Sequence, residues 1–250
     1  MDALFANVRL RVAVTGRNLD DLLPMLRLFP ADVVDDNPDL VISYGGDGSL
    51  LGAEQRFPGI PKCPLRDFRQ NPKCPAHADL SILEKLFRGE LDVTQLPKLT
   101  VEFEDGASLC GINDIVIARQ QIASAIRYRI WLDGHLFRPQ VVADSLVVAT
   151  PFGSTGYFQS ITRGTFLTGL GLAFPNAMDL AGFSIIHPDA SIAVELIRGP
   201  AEVVADNDPH IRTLDSGARL RIRQLEEKTT VYGLEAFRCL DCYNLRRNGL

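Results

Sequence analysis

The stretch Leu40-Val41-Ile42-Ser43-Tyr44-Gly45-Gly46-Asp47-Gly48-Ser49-Leu50-Leu51 sets the reading of the whole chain. An apolar run enters three glycines that surround a single aspartate, and a helical segment follows from Ser49 to Phe57 until Pro58 stops it. The pattern predicts strand, tight turn and helix. Glycine at 45, 46 and 48 admits positive φ and leaves no Cβ in the way, so amides at a helix N-terminus can face an anion such as phosphate. Asp47 is the odd residue in such a nest. A carboxylate repels phosphate unless a cation lies between them, or unless it takes a proton from an attacking hydroxyl. That combination points to phosphoryl transfer, although the same stretch also fits a plain Asp-Gly turn after a buried strand.

On the N-terminal side, Val8 to Thr15 is β-rich, and Leu19, Leu22, Leu23 and Leu26 then recur at helical spacing, with Pro24 in the first turns and Pro30 as the stop. Val33-Val34 reads as a short edge strand. The alternation of β and α predicts a parallel sheet with helices on its faces and a ligand at the carboxyl ends of the strands, where Asp47 lies. Residues 58 to 80 lose periodicity and hold five prolines, which predicts a long loop. Ser81-Ile82-Leu83-Glu84 then reads as a capping box that opens a helix closed by Gly89.

From about Leu99 the pattern changes to successive strands, expected at 99–104, 109–118, 126–132, 138–149, 191–198, 201–205, 218–225 and 229–234. The fold class expected is an α/β N-terminal nucleotide-binding domain, residues 1–97, plus a β-rich domain, residues 98–234, with a terminal helix from Phe237. At 250 residues and 46% apolar content both cores can be filled. A net charge of −5 with dispersed basic residues argues against nucleic acid or an anionic membrane as partner. Met1 to Leu10 shows no signal-peptide pattern, and Gly164 to Met178, the longest uncharged stretch, is too short to span a bilayer. A cytoplasmic protein is expected. The five cysteines then point to thiols or a metal site before disulfides.

A second unusual stretch is Asp144-Ser145-Leu146-Val147-Val148-Ala149-Thr150-Pro151-Phe152-Gly153-Ser154-Thr155-Gly156-Tyr157, a strand running into hydroxyls and glycines at a second helix start. Alone it fits a capped turn slightly better than a ligand site. Taken in order with Gly45-Gly46-Asp47-Gly48-Ser49 and with Asn113-Asp114, it resembles the signature motifs of the NAD kinase family, and the resemblance covers most of the chain. It implies an α/β domain paired with a β-rich domain, with residues 235–250 returning to the first. It also implies transfer of a phosphoryl group from ATP, with magnesium, or from polyphosphate in some members, to the 2′-hydroxyl of the adenosine ribose of NAD. Homo-dimers or tetramers are implied as well.

Carried over by position, Asp47 resembles the catalytic aspartate that deprotonates this hydroxyl, and Gly45, Gly46, Gly48 and Ser49 form the phosphate-facing turn. Asn113 and Asp114 stand where the family has Asn-Glu against the adenosine. Asp144, Thr155, Gly156 and Tyr157 match NAD-contacting positions, with Gly156 replacing alanine. Asp206 begins Asp206-Asn207-Asp208, where the family has Asp-Gly-Gln. The sequence lacks a P-loop motif, and no Gly-x-Gly-x-x-Gly follows a strand. His135, His187 and His210 read as surface or turn residues.

The chain departs from the family between Ile60 and His77, where the usual glycine-rich Gly-Ile-Asn-x-Gly-x-Leu-Gly-Phe is replaced by a proline- and cysteine-containing run. Two other readings therefore stand beside the NAD kinase: a kinase of another hydroxyl, since lipid kinases share the Gly-Gly-Asp-Gly turn, and a non-catalytic nucleotide sensor. The same run carries Cys63 and Cys74, and Cys239-x-x-Cys242 lies near the C-terminus. If the tail returns to the first domain, these four, or three of them with His77, make a structural zinc site. Cys110 is expected in a strand core.

Overall fold

The computed structural model describes residues 9–69, 73–178 and 182–248. Val8, the segment Met1 to Leu10 apart from Arg9 and Leu10, residues 70–72 of the departing run, and the last residues of the expected terminal helix, Gly249 and Leu250, lie outside them. The chain divides into two compact units, Met1–Leu96 with Thr229–Leu250, and Pro97–Lys228. Both divisions fall inside strands.

In the first unit, β1 (Leu10–Gly16), α1 (Leu19–Leu26), β2 (Ala31–Val33), β3 (Leu40–Tyr44), α2 (Asp47–Arg56) and β4 (Lys62–Leu65) follow one another, then α3 (Asp79–Phe87) and the start of β5 (Val93–Phe103). The strands form a parallel sheet in the order β2-β1-β3-β4, with registers such as Val12↔Leu40 and Val41↔Lys62. All five residues of β3 are buried, because both faces are covered. Leu40 and Ile42 pack with Leu22 and Leu26 of α1 and with Ile82, Leu83 and Leu86 of α3, while Val41 turns to the other face and packs on Ala53 of α2.

Three local expectations change. The run after Pro58 is not structureless, because Lys62-Cys63-Pro64-Leu65 is a fully buried strand beside β3. Its lysine is tolerated because Nζ pairs with the carboxylate of Glu54 on α2 and donates to the Phe57 carbonyl at 2.6 Å. Helix α3 starts at Asp79 and not at a Ser81 cap, since the Asp79 carboxylate at its first turn is bound by Lys73 and by the Tyr44 hydroxyl. Pro24 lies in the second turn of α1, further in than the sequence suggests.

The second unit is a pair of antiparallel sheets. One runs β12 (Phe183–Ile186), β11 (Leu170–Ala173), β10 (Ser145–Ala149), β7 (Asp114–Arg119), β14 (Ala201–Ala205), β15 (Arg212–Leu214). The other contains β13 (Ile192–Arg198), β8 (Ile126–Leu132) and β9 (His135–Ala143), with β13 also paired to the first half of β16 (Arg219–Tyr232) and β5 paired to β6 (Ser108–Gly111). Ile126, Tyr128 and Ile130 of β8 share one apolar core with Ile115, Ile117, Leu146 and Val148 of the first sheet. The outer face of β10 is covered by Phe158 of α4 (Tyr157–Thr162). Strands β11, β12 and β15 are additional to those expected, and the runs 109–118 and 138–149 each split into two strands. Conversely, 218–225 and 229–234 are one strand, β16. Cys110, expected in a core, is exposed on β6. The end of β16 leads into α5 (Leu234–Phe237) and α6 (Leu240–Asn248) of the first unit. Among the described residues no helix is long and apolar enough to cross a membrane.

Candidate functional site

In the first unit the glycine turn follows the carboxyl end of β3, and Asp47 is the first residue of α2. Of the three glycines only Gly45 has positive φ, 147°, where an L side chain is strained, and a Cβ there would also displace Ser49 Oγ, 2.2 Å away. Gly46, at φ −102°, is the N-cap, and its carbonyl accepts the N–H of Ser49 at 3.0 Å. Gly48 and Ser49 are already within the helix, which therefore begins two residues earlier than the apolar pattern suggests.

The run that departs from the family lies across this turn. Gly45 N–H donates to the Leu65 carbonyl at 2.8 Å and Asp67 N–H donates back to the Gly45 carbonyl at 3.4 Å, which fixes Arg66 opposite Asp47. Buried Asp67 accepts from Asn18 Nδ2 at 2.7 Å and from the Arg69 amide at 2.9 Å, holding the run beyond Arg66. The Arg66 guanidinium lies 3.2–3.4 Å from both oxygens of Asp47. A second guanidinium, Arg238, reaches Asp47 Oδ1 at 3.5 Å from the C-terminal tail. Arg66 also donates to the Phe237 carbonyl at 3.0 Å and stacks 3.8 Å over the Phe237 ring. Burial pulls the proton affinity of Arg238 down while the charge of Asp47 raises it again. One half-exposed carboxylate thus faces two cations, and the excess positive charge suits an incoming phosphate. The sequence gives no local sign of Arg66 or Arg238. They reach Asp47 only through the pairing of β4 with β3 and the return of the tail.

In the second unit, Asn113, Asp114, Asp206 and the 150–157 turn meet. The Asp206 carboxylate accepts three backbone N–H groups, from Ile112 at 2.8 Å, Asn113 at 2.7 Å and Asp114 at 3.1 Å. The Thr150 amide donates to the Asn113 carbonyl at 2.9 Å, its hydroxyl donates to the Ile112 carbonyl at 2.6 Å, and the same oxygen accepts from the Gly153 amide at 3.1 Å. A Cβ at Gly153 would lie 2.1 Å from the Asn113 carbonyl, so this approach needs glycine. Asn113 Oδ1 is buried without a protein partner, an acceptor held ready for a donor. Asp114 is 5% exposed, and burial, followed by the charge of Asp206, pushes its carboxyl up to about 7. Thr155, Gly156 and Tyr157 are exposed at the start of α4. Asp144 is apart from this group. It precedes β10, whose far end leads to Thr150, and it is bound to Arg119 at 2.9 Å and Asn176 at 2.7 Å.

Of the two expected ligand sets, the four cysteines do not gather, and three of them with His77 do. Cys63 is buried in β4 among apolar side chains, where desolvation pushes its thiol up to about 12. The group that gathers is Cys74, His77, Cys239 and Cys242.

No protein-family model matches the chain. An NAD kinase of Acidobacterium capsulatum is 35% identical over 154 residues, which is 52% of this chain and 49% of that one. An NAD kinase of Halorubrum lacusprofundi is 26% identical over 205 residues, 77% of this chain and 72% of that one. The chain spans about half the length of the Acidobacterium relative and of a Thermoplasma acidophilum NAD kinase, 49% and 47%. Among solved structures, an NAD kinase from Archaeoglobus fulgidus in complex with ATP superposes with a TM-score of 0.74 at 20% identity, covering 95% of this chain and 98% of that one. Yeast NADH kinase complexed with NADH gives a TM-score of 0.76 at 14% identity over 95% and 92%. The chain has the fold of the NAD kinases and is related to them in sequence at the level of the superfamily.

Proposed function

We propose that the chain transfers a phosphoryl group from ATP to the 2′-hydroxyl of the adenosine ribose of NAD, giving NADP. The observation that carries this reading is a carboxylate at the N-terminus of α2, after a parallel strand, with two guanidiniums against it. Phosphoryl transfer asks a protein for alignment and charge stabilisation more than for covalent work. Asp47 accepts the proton of the attacking hydroxyl. Arg66 and Arg238 can turn from the carboxylate to the phosphoryl oxygens as these arrive, which frees Asp47 at the moment it is needed. Both oxygens of Asp47 face guanidiniums, and among the described residues no three carboxylates gather into a cation site. Magnesium bound to the triphosphate would supply charge shielding of the donor, while Asp47 keeps its role as proton acceptor.

Recognition of NAD falls to the second unit. Asn113 Oδ1 accepts from the adenosine, the Asp114 carboxyl takes the place of the family's glutamate, and Thr155 and Tyr157 offer a hydroxyl and a flat face. Asp206 positions Asn113 and Asp114 through their amides. The role of Asp144 in contacting NAD rests on its match to the family's motif. A homo-oligomer in the cytoplasm is part of the same reading. The neighbours complexed with ATP and with NADH support nucleotides as ligands.

The test is incubation with NAD, ATP and magnesium, with NADP read by an NADP-specific dehydrogenase. The wild-type chain is expected to form NADP, and Asp47→Asn to lower turnover by at least the ~10²-fold typical of a lost general base. Turnover near the wild-type value in that variant would reduce Asp47 to a turn residue.

A further inference from the structure

Cys74, His77, Cys239 and Cys242 come from segments far apart in the chain, yet their ligand atoms all lie within 4.8 Å of one another. Cys74 is the N-cap of the short 3-10 turn Pro75–His77, and Cys239 and Cys242 lie at the start of α6. Cys74 Sγ is 3.1 Å from His77 Nδ1 and 3.4 Å from Cys242 Sγ, and Cys242 Sγ is 3.5 Å from His77 Nδ1. These three distances form one face of a tetrahedron of metal ligands, and Cys239 completes the four within the same 4.8 Å. With Zn–S near 2.3 Å and Zn–N near 2.0–2.1 Å, a tetrahedral ion sets S···S at about 3.8 Å and S···N at about 3.5 Å. The spacing also becomes regular once Cys63 is replaced by His77: a Cys-x-x-His pair faces a Cys-x-x-Cys pair. The Cys74 amide, which points at Cys242 Sγ at 3.3 Å, supplies the hydrogen bond that a zinc-bound thiolate accepts.

We propose that Cys74, His77, Cys239 and Cys242 bind one zinc ion as a closed, structural Cys3His site. Binding exchanges three thiol protons for the ion and leaves the imidazole neutral, ligating through Nδ1, with no change of oxidation state. Four protein ligands leave no open position, so the ion holds structure and does no chemistry. What it holds is the tail to the run after β4. Phe237 and Arg238, immediately before Cys239, are the tail residues that meet Arg66 and Asp47. The proposal stands whether or not the reaction above is right, because metal content is measured without it.

The experiment uses the full chain, expressed without a metal-binding tag and purified without chelator. Elemental analysis is expected to give about one zinc per chain. Cobalt exchanged into the protein is expected to show the ligand-field bands of tetrahedral thiolate coordination. His77→Cys should keep the ion, Cys242→Ser should lose it, and Cys110→Ser should leave it unchanged. If Cys242→Ser fails to fold, the cobalt spectrum of the wild-type chain still decides. Zinc well below one per chain together with melting unchanged by a chelator overturns the site, as does a stoichiometric metal other than zinc. A Cys74–Cys242 disulfide in freshly prepared protein, found by mass spectrometry, overturns it equally.

Discussion

Asp47 and Asp206 are both carboxylates beside a turn that follows a strand, and their charges are answered in opposite ways. Asp206 is answered by main chain, by three consecutive amides of Ile112, Asn113 and Asp114. Those donors are part of the backbone and cannot leave, so the aspartate shapes a segment. Asp47 is answered by two long side chains that arrive from β4 and from the tail. Guanidiniums can change partner, so this aspartate is available to a substrate. A carboxylate tied to amides builds a site, whereas one tied to arginines works in it.

The largest expected effect concerns the amide-tied side. Asp114 shares its pocket with Asp206, and its carboxyl is raised from 3.8 to about 7. Between these values the folded chain keeps a proton that the unfolded chain has shed. The stability contribution is therefore complete below the lower value and is lost as pH rises through the upper one, by on the order of 3 kcal/mol. Trp131 lies on β8 of the same unit and reports its unfolding. Urea midpoints followed by Trp131 fluorescence should fall between about pH 4 and about pH 7 and level off above that, and Asp114→Asn should flatten the fall. A slope that survives the substitution would assign it to another group.

Next in size, Asp206→Ala leaves three amides without their acceptor and should cost about 2–3 kcal/mol, whereas Asp47→Ala should change stability by less than about 1 kcal/mol. Equal losses in the two urea titrations would erase the contrast. The smallest expected effect sharpens the other side. Arg66→Ala should lower turnover about tenfold in the NADP assay, with Arg66→Lys recovering only part, because lysine keeps the charge and loses the planar fork. Full activity in Arg66→Ala would show that Arg238 suffices.

The contrast also explains what the sequence made legible. Gly45-Gly46-Asp47-Gly48 and the 150–157 turn declare themselves because their chemistry is local: a strand, a glycine where a side chain is strained or obstructed, a helix start. Strand β4 was hidden by Pro61 and Pro64, which read as breakers, and by Lys62, whose burial depends on Glu54 of a different element. Arg66 and Arg238 carry no local signature, since their meaning lies in which elements become neighbours. His77 reads in the sequence as an alternative ligand to Cys63, and only the burial of Cys63 in the apolar core separates the two. The splitting of 138–149 at Asp144 was equally out of reach, because that break rests on ties to Arg119 and Asn176.

The first unit is made of two pieces of chain with the whole second unit between them. During synthesis the N-terminal residues leave the ribosome first, so β1 to β4, with Asp47 and Arg66, are made before any of the sandwich strands. Arg238, Phe237 and the Cys239–Cys242 pair emerge after the whole second unit. A nascent chain therefore carries its aspartate with one guanidinium in place and the other still untranslated, and the site is completed only after the second unit has had time to form.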